Sequence, residues 1–292
     1  MPDHKLNVLI AYPYFDDDVR RCLMERDPST FRLIIDSGAF SAWNTGREID
    51  LQEYMSWLKT IPKEWEMHAV QLDVYGNPEA TYQNWQRMCD AGFDWVMPVF
   101  TRGDDLRRLE EYYSVVDYIM FGGIAYGGEN RNYIKFFSEA NKGRRVHWLG
   151  FINLRFIKHY RPESVDSSAV TSGERYGIVG YYKGGGDMGW LRKERFATKP
   201  PIDFLQTSEK LGWTMSELRQ LGQNEAWVGG CRKPTPGTLR GFASFLSFTH
   251  HVYRAIEVEE NLGTKVYLAF ANVVALKGAL DAHDFLLERG SV

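Results

Sequence analysis

The chain has 292 residues, 44% hydrophobic and 25% charged, with a formal net charge of −3. This length buries a core without disulfides, and the charge excludes a global basic field, so a polyanionic partner would have to be met by a local patch. No apolar run reaches membrane-spanning length, so no membrane partner is expected. The opening MPDHKLNVLI is too short and too polar for a signal peptide. Cys22, Cys89 and Cys231 are scattered, without a C-x-x-C or C-x-C. The expectation is a cytoplasmic protein (host cytoplasm if viral) with no cofactor and no metal site.

Taken in chain order, the first apolar run is 8–11. The second, 33–35, runs straight into Asp36-Ser37-Gly38. Asp50 then suits the N-cap of a helix whose Leu51, Tyr54, Met55 and Leu58 share a face. Run 69–72 ends at Asp73, and Asn77-Pro78 reads as N-cap then first-turn proline, with Tyr82, Trp85 and Cys89 on one stripe and Gly92 past the end. Run 95–97 follows, then a stripe of Leu106, Leu109 and Tyr113. Run 118–121 leads into Gly122-Gly123-Ile124, and Ile134 and Phe137 mark a further helix. Run 146–149 reaches Gly150, a weak run at 164–165 reaches Asp166, and 266–270 closes the series.

Eight short, apolar runs alternating with helical stripes predict an α/β protein, a (β/α)8 TIM-type barrel, with an open doubly wound sheet as the runner-up. The interval 167–265 is too long for a simple connection. It holds 183-KGGGDMGWLRKERFATK-199, two short helical patterns and a long amphipathic one from about 238 to 259. We read 1–292 as one catalytic domain with 167–265 as an inserted helical subdomain facing nucleic acid.

Barrel enzymes carry their chemistry on the C-terminal ends of the strands. Asp36, Asp73 and Asp166 all fall at such ends, as do 121-FGGIAYGG-128 and 148-WLGF-151. One aspartate at a strand end suits an ordinary turn. Three around one mouth repel each other and are costly unless used.

The ordered set Asp36-Ser37-Gly38, Asp73, Gly122-Gly123-Ile124, Leu149-Gly150 and Asp166 resembles the tRNA-guanine transglycosylase superfamily across roughly residues 30–170. Its members show D-S-G-G-F, a substrate-reading Asp, L-G-G-L, M-G and a nucleophilic Asp in that order. The resemblance implies a (β/α)8 protein that cuts a purine from its sugar and installs a 7-deazapurine. Two departures stand out: Ala39 replaces a glycine, and the C-x-C-x-x-C…H zinc site of the tRNA enzymes is absent. A short, zinc-free chain is most similar to the DpdA-type DNA-guanine transglycosylases of phages and bacteria. The implied partners are DNA and a free 7-deazaguanine (preQ0-like) base, with a homodimer compatible.

The same resemblance implies the roles. Replacing a base with retention at the sugar carbon is most simply two inversions through a covalent glycosyl-enzyme. Asp166 maps onto the nucleophile and Asp36 would be the general acid/base, although the two roles are exchangeable on sequence alone. Asp73 would read the purine N1–H and 2-amino group. The backbone at Gly122, Gly123 and Ile124, with Gly150, would let the heterocycle approach. Phe40 or Tyr126 would stack on a base.

Other signals are weaker. His147, inside an apolar run, reads as a hydrogen-bonded core histidine. His250-His251 are adjacent on a helix and face different ways. 183-KGGGDMGW-190 lacks the G-K-[ST] ending of a phosphate loop. Lys183, Arg192, Lys193, Arg195 and Lys199 outnumber Asp187 and Glu194, so this segment would track a phosphate backbone and help expose a flipped base, or be a solvated loop. Base exchange on tRNA, a catalytically silent nucleic-acid-binding subunit and an unrelated retaining glycosidase are the competing readings.

Overall fold

The computed structural model describes residues 4–124, 130–221 and 242–292. The chain starts with β1 (Leu6–Ala11), α1 (Asp17–Met24), β2 (Phe31–Asp36), α2 (Ala39–Thr45), α3 (Leu51–Leu58) and β3 (Met67–Ala69). It continues through α4 (Pro78–Asp90), β4 (Val99–Phe100), α5 (Leu106–Val115), β5 (Tyr118–Phe121), α6 (Asn130–Asn141), β6 (Arg145–Trp148), α7 (Leu154–Tyr160) and β7 (Ser164–Ser167). Then come α8 (Ser172–Tyr176), a hairpin of β8 (Ile178–Gly184) and β9 (Asp187–Arg192), α9 (Lys193–Thr198), α10 (Ile202–Lys210), α11 (Met215–Leu221) and α12 (Phe242–Leu262). Strand β10 (Lys265–Phe270) and α13 (Val273–Glu288) end the series.

Eight strands form one parallel sheet in the order β3-β2-β1-β10-β7-β6-β5-β4. The two ends of that order approach each other at a parallel bridge between Val70 and Met97, where Met97 N–H donates to Ala69 O at 2.8 Å and Gln71 N–H to Met97 O at 3.0 Å. The curled sheet with its helices is the α/β, TIM-barrel-like arrangement the runs predict. Side chains alternate across it. Leu9, Ile34, Val70, Met97, Val99, Tyr118, Met120 and Tyr267 fill the inside, while Val8, Leu33, Ile35, Val165 and Leu268 pack outward in the core shared with the helices.

The caps are where the sequence puts them. Asp50 accepts from Glu53 N–H at 2.9 Å, and Asn77 accepts from Ala80 N–H at 3.0 Å with Pro78 in the first turn. Three expectations need correction. Run 69–72 is not the third strand: β3 is Met67–Ala69, Val70 makes an isolated bridge, and Asp73 stands past the strand in the following loop. Run 95–97 is not the fourth strand: Trp95 is exposed, only Met97 makes the bridge, and the ladder proper begins after Pro98, which has no N–H to give. In the stripe of α5 the buried partner of Leu109 is Tyr112, while Leu106 is exposed.

Within 167–265, the glycine-rich stretch is an antiparallel hairpin turning at Gly184, Gly185 and Gly186, all with positive φ. It runs alongside α12: Gly180 N–H donates to Ser247 Oγ, Tyr182 N–H to His250 Nδ1, and Arg254 Nε to Gly186 O. Helix α12 is accordingly buried on nearly every side, not amphipathic, because the hairpin covers one flank while β10 and α13 cover the other. Residues 238–241 of the expected helix, Cys231 and Tyr126 lie outside the described residues. Among the described residues, no helix is long and apolar enough to cross a membrane.

His250 and His251 do face different ways. His250 bonds Tyr182 N–H and Ser208 Oγ, whereas His251 lies against the Trp190 ring at 5.8 Å. Burial pushes both imidazoles down to about 3. A folded value below the unfolded 6.5 means that their contribution to stability is complete above pH 6.5 and is lost as pH falls toward 3. The hairpin is therefore expected to loosen in acid, each histidine costing up to about 1.4 kcal/mol per pH unit in that window. The difference in tryptophan fluorescence between the wild type and Trp190→Phe, titrated from pH 7 to 4, reads this locally among the nine tryptophans; a flat difference would refute it.

Candidate active site

Strand alternation aims the first aspartate. Ile34 points inside, so Asp36, two residues on, points inside at the strand's end, level with Ala11 of β1. Ser164 and Asp166 are related in the same way on β7, with Asp166 level with Tyr267 of β10. Asp73 lies beyond β3 in a loop tied to α4, where Asn84 Nδ2 donates to Leu72 O and Val74 N–H to Thr81 Oγ.

The three carboxylates act on one another. Asp36 is pushed up to about 7, first by burial and next by the charge of Asp73, with Asp166 adding to it; the Gly38 and Ser37 N–H groups pull the other way. Burial also raises Asp73, against the hydroxyl of Ser37, which donates to Asp73 Oδ1 at 2.8 Å. Gly38 N–H donates to Asp36 Oδ2 at 3.0 Å. Gly38 has φ +80°, and a Cβ there would stand 2.4 Å from Pro13, so the stretch after Asp36 turns only with glycine at this point. Ala39 opens α2 with its methyl group buried.

Asp166 is 7% exposed and accepts from Gly150 N–H at 2.5 Å. Gly150 reaches it in the left-handed region, φ +66°. His147 is a hydrogen-bonded core histidine, as expected, but its partner is Asp166 itself, with Nε2 3.1 Å from Oδ1. No sequence signal joins the two: the register of β6 on β7, which sets His147 level with Ser164, brings them together. Gly122 follows β5 with no room for a side chain: a Cβ would meet Val99 Cγ1 at 2.9 Å. Gly123 is exposed. Ile124 has its side chain fully buried in the outer core, so only its backbone is left to meet a ligand.

A cavity of about 470 Å³ opens beside Asp73, lined also by Trp43, Arg47, Leu72, Tyr75 and Asn84. Asp36 and Asp166 are not part of its lining. Phe40, half-buried, stands at its edge as one of three neighbouring rings, 5.4 Å from Tyr75, which is 4.2 Å from Trp43. Trp43 and Tyr75, both exposed, were not singled out in the sequence because aromatic residues are 14% of the chain and most of them are core.

The basic residues do not form one cluster. Helix α12 ends where β10 begins, so its N-terminal end lies toward the strands' C-terminal ends. The hairpin runs down that helix from Gly180 to Gly186. Exposed Arg192, opposite Ile178, is thus at the mouth end, followed by exposed Arg195. Lys183 sits about 16 Å further down the hairpin. Lys193 is the first residue of α9; its side chain lies outside the described residues. Neither models of protein families nor curated proteins match this chain.

Proposed function

We propose that the protein exchanges guanine in DNA for a 7-deazaguanine, as a transglycosylase working through an aspartyl-sugar intermediate. The observation that supports this most is the division of labour among three carboxylates on one rim. Asp36, held near 7, is able to give and take a proton at neutral pH. Asp166 is oriented by the Gly150 N–H and so is a fixed nucleophile. Asp73, set by Ser37 beside a cavity with room for a flat heterocycle, offers an acceptor for N–H groups.

In the first half-reaction an oxygen of Asp166 bonds to the sugar C1′ as the C1′–purine bond breaks, and Asp36 delivers its proton to the departing guanine. In the second, the incoming base gives its N–H proton to Asp36 while its nitrogen bonds to C1′, and the Asp166 carboxylate leaves. Each step inverts C1′, so the product has the original anomer. Interval 167–265 is read as a nucleic-acid-facing insertion, with Arg192 and Arg195 at its mouth end as phosphate contacts.

The direct test is incubation with labelled 7-deazaguanine and either duplex DNA or tRNA. Label in DNA alone supports the reading, label in tRNA alone moves the substrate, and label in neither sinks base exchange. Base recognition has its own check. Asp73→Ala is expected to weaken binding of free 7-deazaguanine by about 100-fold, because the base loses the carboxylate that pairs its N–H donors. Unchanged affinity by calorimetry would put the base elsewhere.

A further inference from the structure

Asp166 carries more hydrogen bonding than the exchange chemistry requires. Its Oδ1 takes the Gly150 N–H and faces His147 Nε2, while Oδ2 takes no hydrogen bond from any described residue. His147 is fully buried. Its other ring nitrogen, Nδ1, meets the hydroxyl of Ser164, and Ser164 Oγ meets the phenol of Tyr118. All four side chains lie on adjacent strands: Tyr118 on β5, His147 on β6, Ser164 and Asp166 on β7.

The donor inventory gives this chain a direction. An ionised carboxylate only accepts, so Nε2 of His147 carries the hydrogen. With that imidazole neutral, Nδ1 is bare and takes the hydrogen of Ser164. The Ser164 oxygen, having given its hydrogen, accepts the one from Tyr118. Burial raises the Tyr118 phenol above its ordinary range, so it keeps its proton to donate. With His147 neutral, every hydrogen in the chain points toward Asp166.

We propose that Tyr118, Ser164 and His147 form a one-way relay that pins Oδ1 of Asp166 and leaves Oδ2 as the attacking oxygen. His147 is a positioning residue that acts through Asp166. The identity of the attacked atom rests on the base-exchange reading; the relay itself does not. Pinning one oxygen fixes the plane of the carboxylate, and a nucleophile held in a near-attack orientation loses less freedom on reaching the transition state.

Two measurements test this separately. Nitrogen-15 NMR of the imidazoles in the wild-type protein is expected to show His147 protonated at Nε2 and bare at Nδ1. An imidazolium, or a hydrogen on Nδ1, overturns the relay whatever the protein catalyses. In single-turnover adduct formation, His147→Phe is expected to lower the rate by about 100-fold with affinity for DNA within about twofold of wild type. His147→Gln, which restores an N–H near the place of Nε2, is expected to recover about tenfold of that loss. Equal Phe and Gln rates, or a loss in affinity in place of rate, overturns the positioning role. If His147→Phe does not fold, Tyr118→Phe at the far end serves, with an expected loss of about fivefold and no loss as the overturning result. A wild-type protein that makes no adduct ends the exchange reading, while the NMR result still judges the relay.

Discussion

Asp166→Asn is expected to form no covalent protein–DNA adduct and to lower base exchange by at least about 1,000-fold, while DNA binding persists. Only the carboxylate supplies the electron pair that replaces the purine at C1′, and an amide oxygen is far less nucleophilic. Asparagine is preferable to alanine here for a structural reason. Its amide oxygen still accepts from Gly150 N–H and His147 Nε2, whereas alanine leaves both donors without an acceptor in a buried place. Each orphaned donor costs about 1–3 kcal/mol, enough to confuse a catalytic loss with a folding loss. Denaturing electrophoresis of the trapped complex reads the outcome. An adduct that survives in Asp166→Asn would move the nucleophile to Asp36 or end the covalent mechanism.

Asp36→Asn is expected to show two opposite effects at once. Adduct formation in a single turnover should fall by about 100-fold or more, since the departing guanine loses its proton donor. At pH 8 the variant should also be more stable than the wild type, by on the order of 2 kcal/mol, or about 5 °C in Tm. The sign comes from the folded value of about 7 against an ordinary 3.8. A carboxyl raised in the fold contributes its stability in full below pH 3.8 and loses it as pH rises through 7. Above pH 7 the wild type holds a half-buried charge facing Asp73 and Asp166, and the amide does not. The gain should therefore shrink at pH 5. Thermal melts of both proteins at pH 5 and pH 8 decide it; equal midpoints at pH 8 would mean that Asp36 is not strained by its neighbours. In the wild type, the adduct-forming half-reaction should slow above pH 7, where the acid has lost its proton, and the base-accepting half-reaction should slow below it.

Much of the scaffold was legible in the chain because it is set by local rules. The alternation of short apolar runs with helical stripes foretold the parallel, TIM-barrel-like sheet, and Asp50 and Asn77-Pro78 foretold the helix starts they cap. The rule that barrel enzymes carry their chemistry at strand C-terminal ends pointed to Asp36 and Asp166, and the structure sets both on the inner face at the ends of β2 and β7. The hairpin at 178–192 was missed because three glycines read equally well as a loop. Only packing against α12 makes the flanking residues a paired ribbon.

The sequence by itself determined which groups are present and their order, Asp36, Asp73, the glycine pair at 122 and 123, and Asp166, and the strand ends that carry Asp36 and Asp166. Tertiary structure alone decided what each does to the others. His147 became the partner of Asp166 only through the register of β6 on β7, and Ser37 met Asp73 only through the closeness of β2 and the loop after β3. Trp43 and Tyr75 gained a shared cavity with Asp73 in the same way. The physical reason is that capping and alternation act over a few residues and are written in the local sequence. The acidity of Asp36 and the bonding of Asp166 depend on burial and on charges brought together from distant parts of the chain, and these exist only once the sheet has curled.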